Sequence, residues 1–229
     1  MKIESGRYAI IGLSLLLLMS TTPYAAVAGT PAAAVTGEAV SRSLTRESSG
    51  RFPAGLSPDL VANTNVNDSR ATVNEVLRWK EGNGDALAVF MTVDGGSEGN
   101  ESRDLYVTTF RQTGSTLQRI RTIKELSGAC EFDLAAEFVA GSVTLTNLDG
   151  DAQGELTFGY RTTCTSDVSP SAYKVFILEG GAKYGIRGTT RVNIGNDERV
   201  GGEAKEDFKG APASFAGHVR RIWSAHVNE

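Results

Sequence analysis

Short runs rich in β-branched and aromatic residues recur along the chain after residue 73, and polar, Gly-containing turns separate them. The runs pair as 75–80 with 86–93, 105–111 with 117–123, 138–146 with 155–161, and 173–179 with 183–192. Such runs around short turns are typical of antiparallel hairpins. The turn centres, near 84, 114, 150 and 181, recur at a roughly regular interval. We therefore predict a mainly β fold whose hairpins form a sandwich or a partial propeller-like sheet.

The hydrophobic pattern changes to a helical period at the end of the chain. Residues 212–227 are predicted to form a C-terminal α-helix that begins near Pro212. Its predicted apolar stripe comprises Phe215, Val219, Ile222, Trp223 and Val227. The opposite face is predicted to carry His218, Arg220 and Arg221. An amphipathic helix of this kind is expected to dock on the sheet.

The N-terminus has the pattern of a secretory signal peptide. Lys2 and Arg7 precede a short apolar run, and Ala26-Val27-Ala28 gives a small-residue cleavage signal. The predicted organisation is a signal peptide over 1–28, a flexible leader over 29–67 rich in small and polar residues, and one β-rich domain over 68–229. Cleavage after Ala28 predicts a periplasmic or secreted protein with no transmembrane segment in the mature chain.

Charge and cysteine content narrow the expected environment. The formal net charge is −4 for 229 residues, and removal of Lys2, Arg7 and Glu4 with the signal peptide leaves −5. An acidic balance argues against general binding of nucleic acid. The two cysteines, Cys130 and Cys164, are predicted to form a disulfide because the chain is exported. Two free thiols are the alternative.

The turn between residues 146 and 155 is acidic, and it is the candidate metal site. Oxygen-bearing groups alternate along it, at Asn147, Asp149, Asp151, Gln153 and Glu155. Ca²⁺ prefers about six to eight oxygen ligands of these kinds. The loop resembles the calcium loops of integrin-type (FG-GAP) repeats, with Ala152 where those loops carry Gly. The alternative interpretation is a polar β-turn at Asp149-Gly150 without a metal.

Asp167 is a further candidate for this site. It lies in the Ser166–Pro170 turn, close in sequence to Cys164. A disulfide would hold this turn near the acidic loop, where Asp167 would support the ion from a second shell. The alternative is a structural turn whose side chains bond to the backbone.

The chain from residue 130 to 192 resembles an uncharacterised bacterial family of surface polysaccharide biosynthesis proteins. The residues that carry the resemblance are Cys130-Glu131-Phe132-Asp133, Leu148-Asp149-Gly150-Asp151, Glu155-Leu156-Thr157, Tyr160-Arg161, Cys164, Ser166–Pro170, Leu178-Glu179-Gly180-Gly181 and Lys183–Gly188, with Val76–Lys80 and Ile222-Trp223 beyond them. The resemblance implies a role connected to envelope polysaccharide. It implies no enzyme activity, and its two cysteines fall on Cys130 and Cys164.

These observations predict an exported, non-catalytic envelope protein that binds a glycan or protein partner, with Ca²⁺ as its one candidate cofactor. An enzyme that acts on polysaccharide through acidic pairs, such as Asp133 with Glu137 or Asp149 with Glu155, is the alternative. A structural or assembly factor is a third. His218 and His226 are expected to be structural, because they are eight residues apart and cannot pair on adjacent helical turns. The sequence does not indicate an oligomeric state.

Overall fold

The computed structural model describes residues 45–47, 70–82 and 84–229. The predicted signal peptide, its cleavage site and most of the predicted leader lie outside these residues. One part of that leader, Thr45–Glu47, forms a strand that pairs with Val76–Arg78. The segment predicted as a flexible leader therefore contributes one strand to the folded domain.

The first sheet has five antiparallel strands that follow one another in chain order. They are β1 (Thr45–Glu47), β2 (Ala71–Glu81), β3 (Gly84–Ser97), β4 (Asn100–Thr113) and β5 (Thr116–Glu125). The turn between β4 and β5 contains Gly114 at φ +58°, a left-handed conformation that glycine adopts without steric cost. Two of the four predicted hairpins, 75–93 and 105–123, lie in this sheet.

The second sheet contains six strands, and a separate two-stranded ladder follows it. The chain order is β6 (Asp133–Phe138), β7 (Thr144–Thr146), β8 (Glu155–Thr165), β9 (Ala172–Glu179), β10 (Ala182–Thr189), β11 (Arg191–Gly195), β12 (Glu198–Gly201) and β13 (Ala204–Asp207). The order across the sheet is β13-β10-β9-β8-β6, and β7 pairs with the start of β8. Strands β11 and β12 form the ladder.

Two predicted strands are each divided in two. The run predicted over 138–146 breaks at a turn that contains Gly141 at φ +79°, which ends β6 and leaves a gap before β7. The run predicted over 183–192 likewise spans the end of β10 and the start of β11. In both cases the run of strand-forming residues continues past the point where one strand ends and the next begins, so the sequence pattern did not indicate the break.

The inner faces of the two sheets meet in a shared aromatic core. Phe90 of β3 and Phe158 of β8 are 1% and 0% exposed, and their ring centroids lie 5.6 Å apart in an edge-to-face arrangement. Phe138 packs against the same Phe90 ring at 5.1 Å. Burial of each such side chain contributes roughly 1.5–3 kcal/mol. The mainly β prediction is confirmed as two packed sheets, and the described strands do not close into a propeller.

The predicted C-terminal helix is confirmed as α1 (Ala213–His226), and it covers the outer face of the second sheet. Phe215 and Val219 are fully buried there, and Trp223 stacks on Tyr173 of β9 with ring centroids 4.6 Å apart. The prediction that His218 lies on the polar face is wrong, because it is only 7% exposed. His218 lies three residues after Phe215, so helical spacing places it beside the apolar stripe.

The predicted disulfide is confirmed. Cys130 and Cys164 are joined with their Cα atoms 5.8 Å apart, which ties the segment before β6 to the end of β8. The Cys130 backbone N–H also donates to the carbonyl of Glu101 in β4, at 2.8 Å. A structural disulfide indicates an oxidising, extracytoplasmic compartment. Among the residues that the structure describes, no helix is both long and apolar enough to cross a membrane.

Candidate metal site in the acidic loop

The loop between β7 and β8 is closed by its own side chains. The side-chain oxygen Oδ1 of Asn147 accepts from the Gly150 backbone N–H at 2.8 Å, and its side-chain nitrogen Nδ2 donates to the Asp151 backbone carbonyl at 2.7 Å. Asp151 in turn accepts from the Gln153 N–H at 2.6 Å. Asn and Asp favour such turns because their short side chains reach the backbone two or three residues away. The alternating polar residues therefore give the loop its shape.

The backbone conformations of Gly150 and Ala152 are both free of strain. Gly150 occupies the left-handed region at φ +81°. Ala152 is not among the described residues with a positive φ. The alanine that stands where FG-GAP loops carry Gly therefore causes no backbone strain here.

Glu155, the first residue of β8, points into the base of the loop. Its side chain is completely buried. It accepts hydrogen bonds from the Thr146 hydroxyl at 2.7 Å and from the Leu148 N–H at 2.9 Å. Burial raises the pKa of Glu155, and these hydrogen bonds partly oppose the rise. The buried Glu155 carboxylate therefore has hydrogen-bond donors, but among the described residues no cationic side chain forms an ion pair with it.

Glu179, at the end of β9, is the residue that the sequence did not indicate. The β8–β9 register pairs Leu156 with Leu178, so Glu155 and Glu179 come opposite each other one step further on. One Glu179 carboxylate oxygen is buried and has no hydrogen-bond partner among the described residues. Burial, followed by the charges of Asp149, Asp151, Glu155 and Glu81, raises the pKa of Glu179 to about 7.

Asp149 completes a group of three carboxylates. One oxygen from each of Asp149, Glu155 and Glu179 lies within 4.8 Å of the others, close enough for a single metal ion to contact all three. Three carboxylates at this separation repel one another, and a hard divalent cation would both neutralise them and take their oxygens as ligands. The residues present therefore fit a metal ion.

The first sheet supports the loop from the other side. Glu81 at the end of β2 accepts from the Gly154 N–H at 3.0 Å and forms an ion pair with Arg111 at 2.8 Å. Arg111 also donates to the Gln153 side-chain oxygen at 3.2 Å. The position of the loop therefore depends on both sheets.

The structure divides the five predicted ligands into two groups. Asp149 and Glu155 join the carboxylate cluster, and Glu179 joins them from β9. Asn147, Asp151 and Gln153 bond within the loop or to Arg111. The signal that could have found Glu179 is the pairing of β8 with β9, which requires the strand register as well as the local sequence.

Asp167 does not join the cluster. It lies in the turn after β8, and Glu155 lies at the start of that 11-residue strand, so about 33 Å of extended chain separates them. Asp167 instead accepts from the hydroxyls of Thr165 and Ser169, and these bonds lower its pKa. The prediction that Asp167 would support the ion is therefore wrong. The alternative, a structural turn whose side chains bond locally, matches its position.

Two other groups considered in the sequence occupy structural positions. Asp133 and Glu137 are four residues apart on β6, a separation of roughly 13 Å along a strand, which exceeds the roughly 5–10 Å between the carboxylates of glycosidases. The His218 ring lies 3.0 Å from the Thr144 hydroxyl. His226 lies at the end of α1 beside Gly141.

No family model, curated protein or solved structure matches this chain. The fold and the loop define it as a two-sheet β protein with a docked C-terminal helix and an acidic cluster suited to a metal ion. The resemblance to surface polysaccharide biosynthesis proteins stays a prediction from the residues.

Proposed function

We propose that this chain is an exported cell-envelope protein that acts by binding, and that its acidic loop holds Ca²⁺ as a structural staple. The export signal, the disulfide between Cys130 and Cys164 and the resemblance to surface polysaccharide proteins support the location and the connection to envelope glycan. The ion would be held by Asp149, Glu155 and Glu179, and it would join the loop to the ends of β8 and β9.

One observation carries the calcium proposal. One oxygen of Glu179 is buried and has no hydrogen-bond partner among the described residues, and Glu179 offers a carboxylate oxygen within 4.8 Å of those of Asp149 and Glu155. Unpaired buried charge is costly, and it is normally compensated by a partner or a metal. Ca²⁺ suits the set because it accepts carboxylates in irregular geometry and completes its shell with backbone oxygens and water, whereas Mg²⁺ demands near-octahedral geometry.

Calorimetric titration of chelator-treated protein with Ca²⁺ tests this directly. We expect binding heat and a higher melting temperature, and both should be lost in Asp149→Asn. Glu198→Gln is the matched control, because Glu198 is an exposed carboxylate in the β11–β12 ladder, and it should behave as the parent. Absence of heat together with an unchanged melting temperature at millimolar Ca²⁺ would remove the metal from the proposal.

An enzyme acting on polysaccharide is the second candidate, favoured by the raised pKa of Glu179 beside Asp149. A carboxyl group that holds its proton near neutral pH is suited to general acid catalysis, with a neighbouring carboxylate as its partner. The cavity against Glu179 is about 30 Å³, enough for one or two water molecules. A sugar ring does not fit this space, so binding is the better-supported proposal. Release of reducing ends from envelope polysaccharide, abolished in Glu179→Gln, would reverse this ranking.

A further inference from the structure

A second charged site, of opposite sign, lies between β5 of the first sheet and β10 of the second. It is a groove of about 230 Å³ on the side of the sandwich where these strands face each other. Its charged and aromatic lining includes Arg121, Glu125, Lys174, Phe176, Lys183 and Arg187. None of the three carboxylates of the candidate metal site belongs to it.

Two cations of β10 point inward between the sheets. The Lys183 ammonium and the Arg187 guanidinium lie 4.6 and 4.9 Å from the centre of the Phe176 ring, and Phe176 belongs to the core shared by the two sheets. Their direction is therefore into the sandwich, where aliphatic residues are the usual occupants.

Gly185 keeps the space between these two cations open. A β-carbon at this position would come within 2.2 Å of the Val175 carbonyl oxygen and 2.7 Å of the Phe176 ring. Backbone and a buried ring cannot yield to such contacts. Residue 185 is therefore restricted to glycine, and it contributes no side chain between Lys183 and Arg187.

The positive charge of the groove is only partly balanced. Glu125 is engaged by Lys174 at 2.7 Å and by the Tyr160 hydroxyl at 2.9 Å. Arg187 reaches Asp207 only at 3.9 Å, and that carboxylate is 60% exposed. The resulting excess of positive charge falls on the β10 side of the groove.

Arg121 and Lys183 add further positive charge to the groove. Within the described part of the chain, neither lies at ion-pair distance from a carboxylate. Arg121 donates from Nε, at 2.6 Å, and from Nη2 to the Gly181 carbonyl, and the N–H groups of its other terminal nitrogen, Nη1, stay available to a ligand. Burial, then repulsion from Arg187 and Arg121, lowers the pKa of Lys183. The protein therefore holds like charges together at a free-energy cost.

Protection of a sheet edge accounts for only part of this arrangement. A single inward-pointing charge is enough to discourage strand addition at an exposed edge. Strand β13 pairs with β10 over Gly185–Gly188, so Arg187 does not lie on an open edge, whereas Lys183 lies in the part of β10 that β13 leaves uncovered. Edge protection therefore does not explain the inward direction of Arg187, nor the gathering of Arg121 with it in one groove.

We infer that the β5–β10 groove binds an oxyanion carried by an acidic ligand, with Lys183, Arg187 and Arg121 as its donors. Charge-assisted hydrogen bonds from Lys and Arg are the strongest that side chains offer to carboxylate or phosphate. The groove is smaller than the roughly 300–1,000 Å³ that accommodates drug-sized ligands, so it suits one charged unit at a time. The oxyanion is the carboxylate of a uronic-acid sugar or a phosphate ester. The groove contains none of the three carboxylates of the candidate metal site, although Arg121 also lines the cavity beside Glu179.

Titration of chelator-treated protein at low ionic strength distinguishes these sources. The probes are trigalacturonate, inorganic phosphate and the neutral maltotriose. Binding of trigalacturonate alone identifies an acidic sugar, binding of phosphate alone identifies a phosphate ester, and binding of both identifies a general oxyanion site. Failure of both anions at millimolar concentration, or equal binding of maltotriose, would overturn the inference. Because divalent cations are stripped and the chelator is then removed by dialysis, the result is independent of the calcium proposal and free of competition from the chelator's own carboxylates.

The donors are tested by Lys183→Gln and Arg187→Gln, each of which should weaken anion binding about tenfold. Lys209→Gln is the matched control, since Lys209 is an exposed lysine that does not line the groove. It should change the affinity less than about twofold. Equal effects of all three variants would contradict a specific site.

A measurement on the unaltered protein covers the case in which a variant does not fold. Acetic anhydride modifies unprotonated amines, and mass spectrometry gives the rate at each lysine. The bound anion should slow modification of Lys183 and leave the rate at Lys209, outside the groove, unchanged. An unchanged rate at Lys183 with saturating anion would overturn the inference.

Discussion

Replacement of Glu179 by Gln should stabilise the protein above neutral pH when divalent cations are removed. The pKa of Glu179 is raised from its ordinary value of 4.5 to about 7. The native state therefore binds this proton more tightly than the unfolded state does. It follows that stability contributed by the protonated group is lost as the pH rises from about 4.5 to about 7, and stays lost above that. Gln has the same shape without the charge.

The magnitude follows from the shift. A difference of about 2.5 pH units corresponds to about 3.4 kcal/mol at 1.36 kcal/mol per unit. The side chain is partly exposed, so solvent screening reduces the expected gain to about 1–2 kcal/mol. In saturating Ca²⁺ the order should reverse, since an ion at 100 times its dissociation constant adds about 2.7 kcal/mol to the parent and less to a variant that lacks one ligand.

Urea unfolding at pH 4, 7 and 8.5 in chelator measures the effect. The free energy of unfolding of Glu179→Gln should match the parent at pH 4 and exceed it at pH 8.5. Glu198→Gln, at an exposed position, should stay within about 0.5 kcal/mol throughout. A gain of the same size at pH 4 and pH 8.5, or no gain at either, would refute the argument that crowded carboxylates raise this pKa.

Three further changes have definite expected outcomes. Replacing Cys130 and Cys164 by Ala should cost about 3–4 kcal/mol in urea unfolding, because the disulfide spans 34 residues; an unchanged midpoint would contradict this. Phe215→Ala should lower the free energy of unfolding by about 3–5 kcal/mol, whereas Phe132→Ala, at 59% exposure, should lower it little. A loss for Phe215→Ala as small as that for Phe132→Ala would show that α1 is not docked. His218→Gln should reduce the loss of stability below about pH 6.5, because burial and Arg221 lower the pKa of His218 and the unfolded state takes up its proton first; an unaltered acid limb would rule this out.

The hydrophobic pattern was sufficient for the fold class because most strands have one face in a core. Alternation along residues 86–93 places Ala88 and Phe90 in the core between the sheets and Val89 and Met91 in a second cluster on the other face. The helix followed from its apolar period in the same way. The strand over Asp133–Phe138 was missed because it is short and contains two small alanines, which give little indication of a strand.

The site was predicted only in part because its members come from distant parts of the sequence. Asp149 and Glu155 share one loop, so their spacing indicated a common centre. Glu179 meets them through the pairing of β8 with β9, and Glu81 reaches the loop from the first sheet. Local spacing contains no information about either contact. The same holds for the groove, where Arg121 and Lys183 face each other across two sheets.

Each sheet is formed from its own length of chain, 45–125 for the first and 133–207 for the second. The crossover includes residues 126–129, which belong to neither helix nor strand. Cys130, which follows them, is anchored to the second sheet by its sulfur. The interface between the sheets is therefore equivalent to one between two consecutive protein segments. Exchange of the first sheet between two copies would recover the same core, and residues 126–129 are the only segment of the crossover that would have to extend for it.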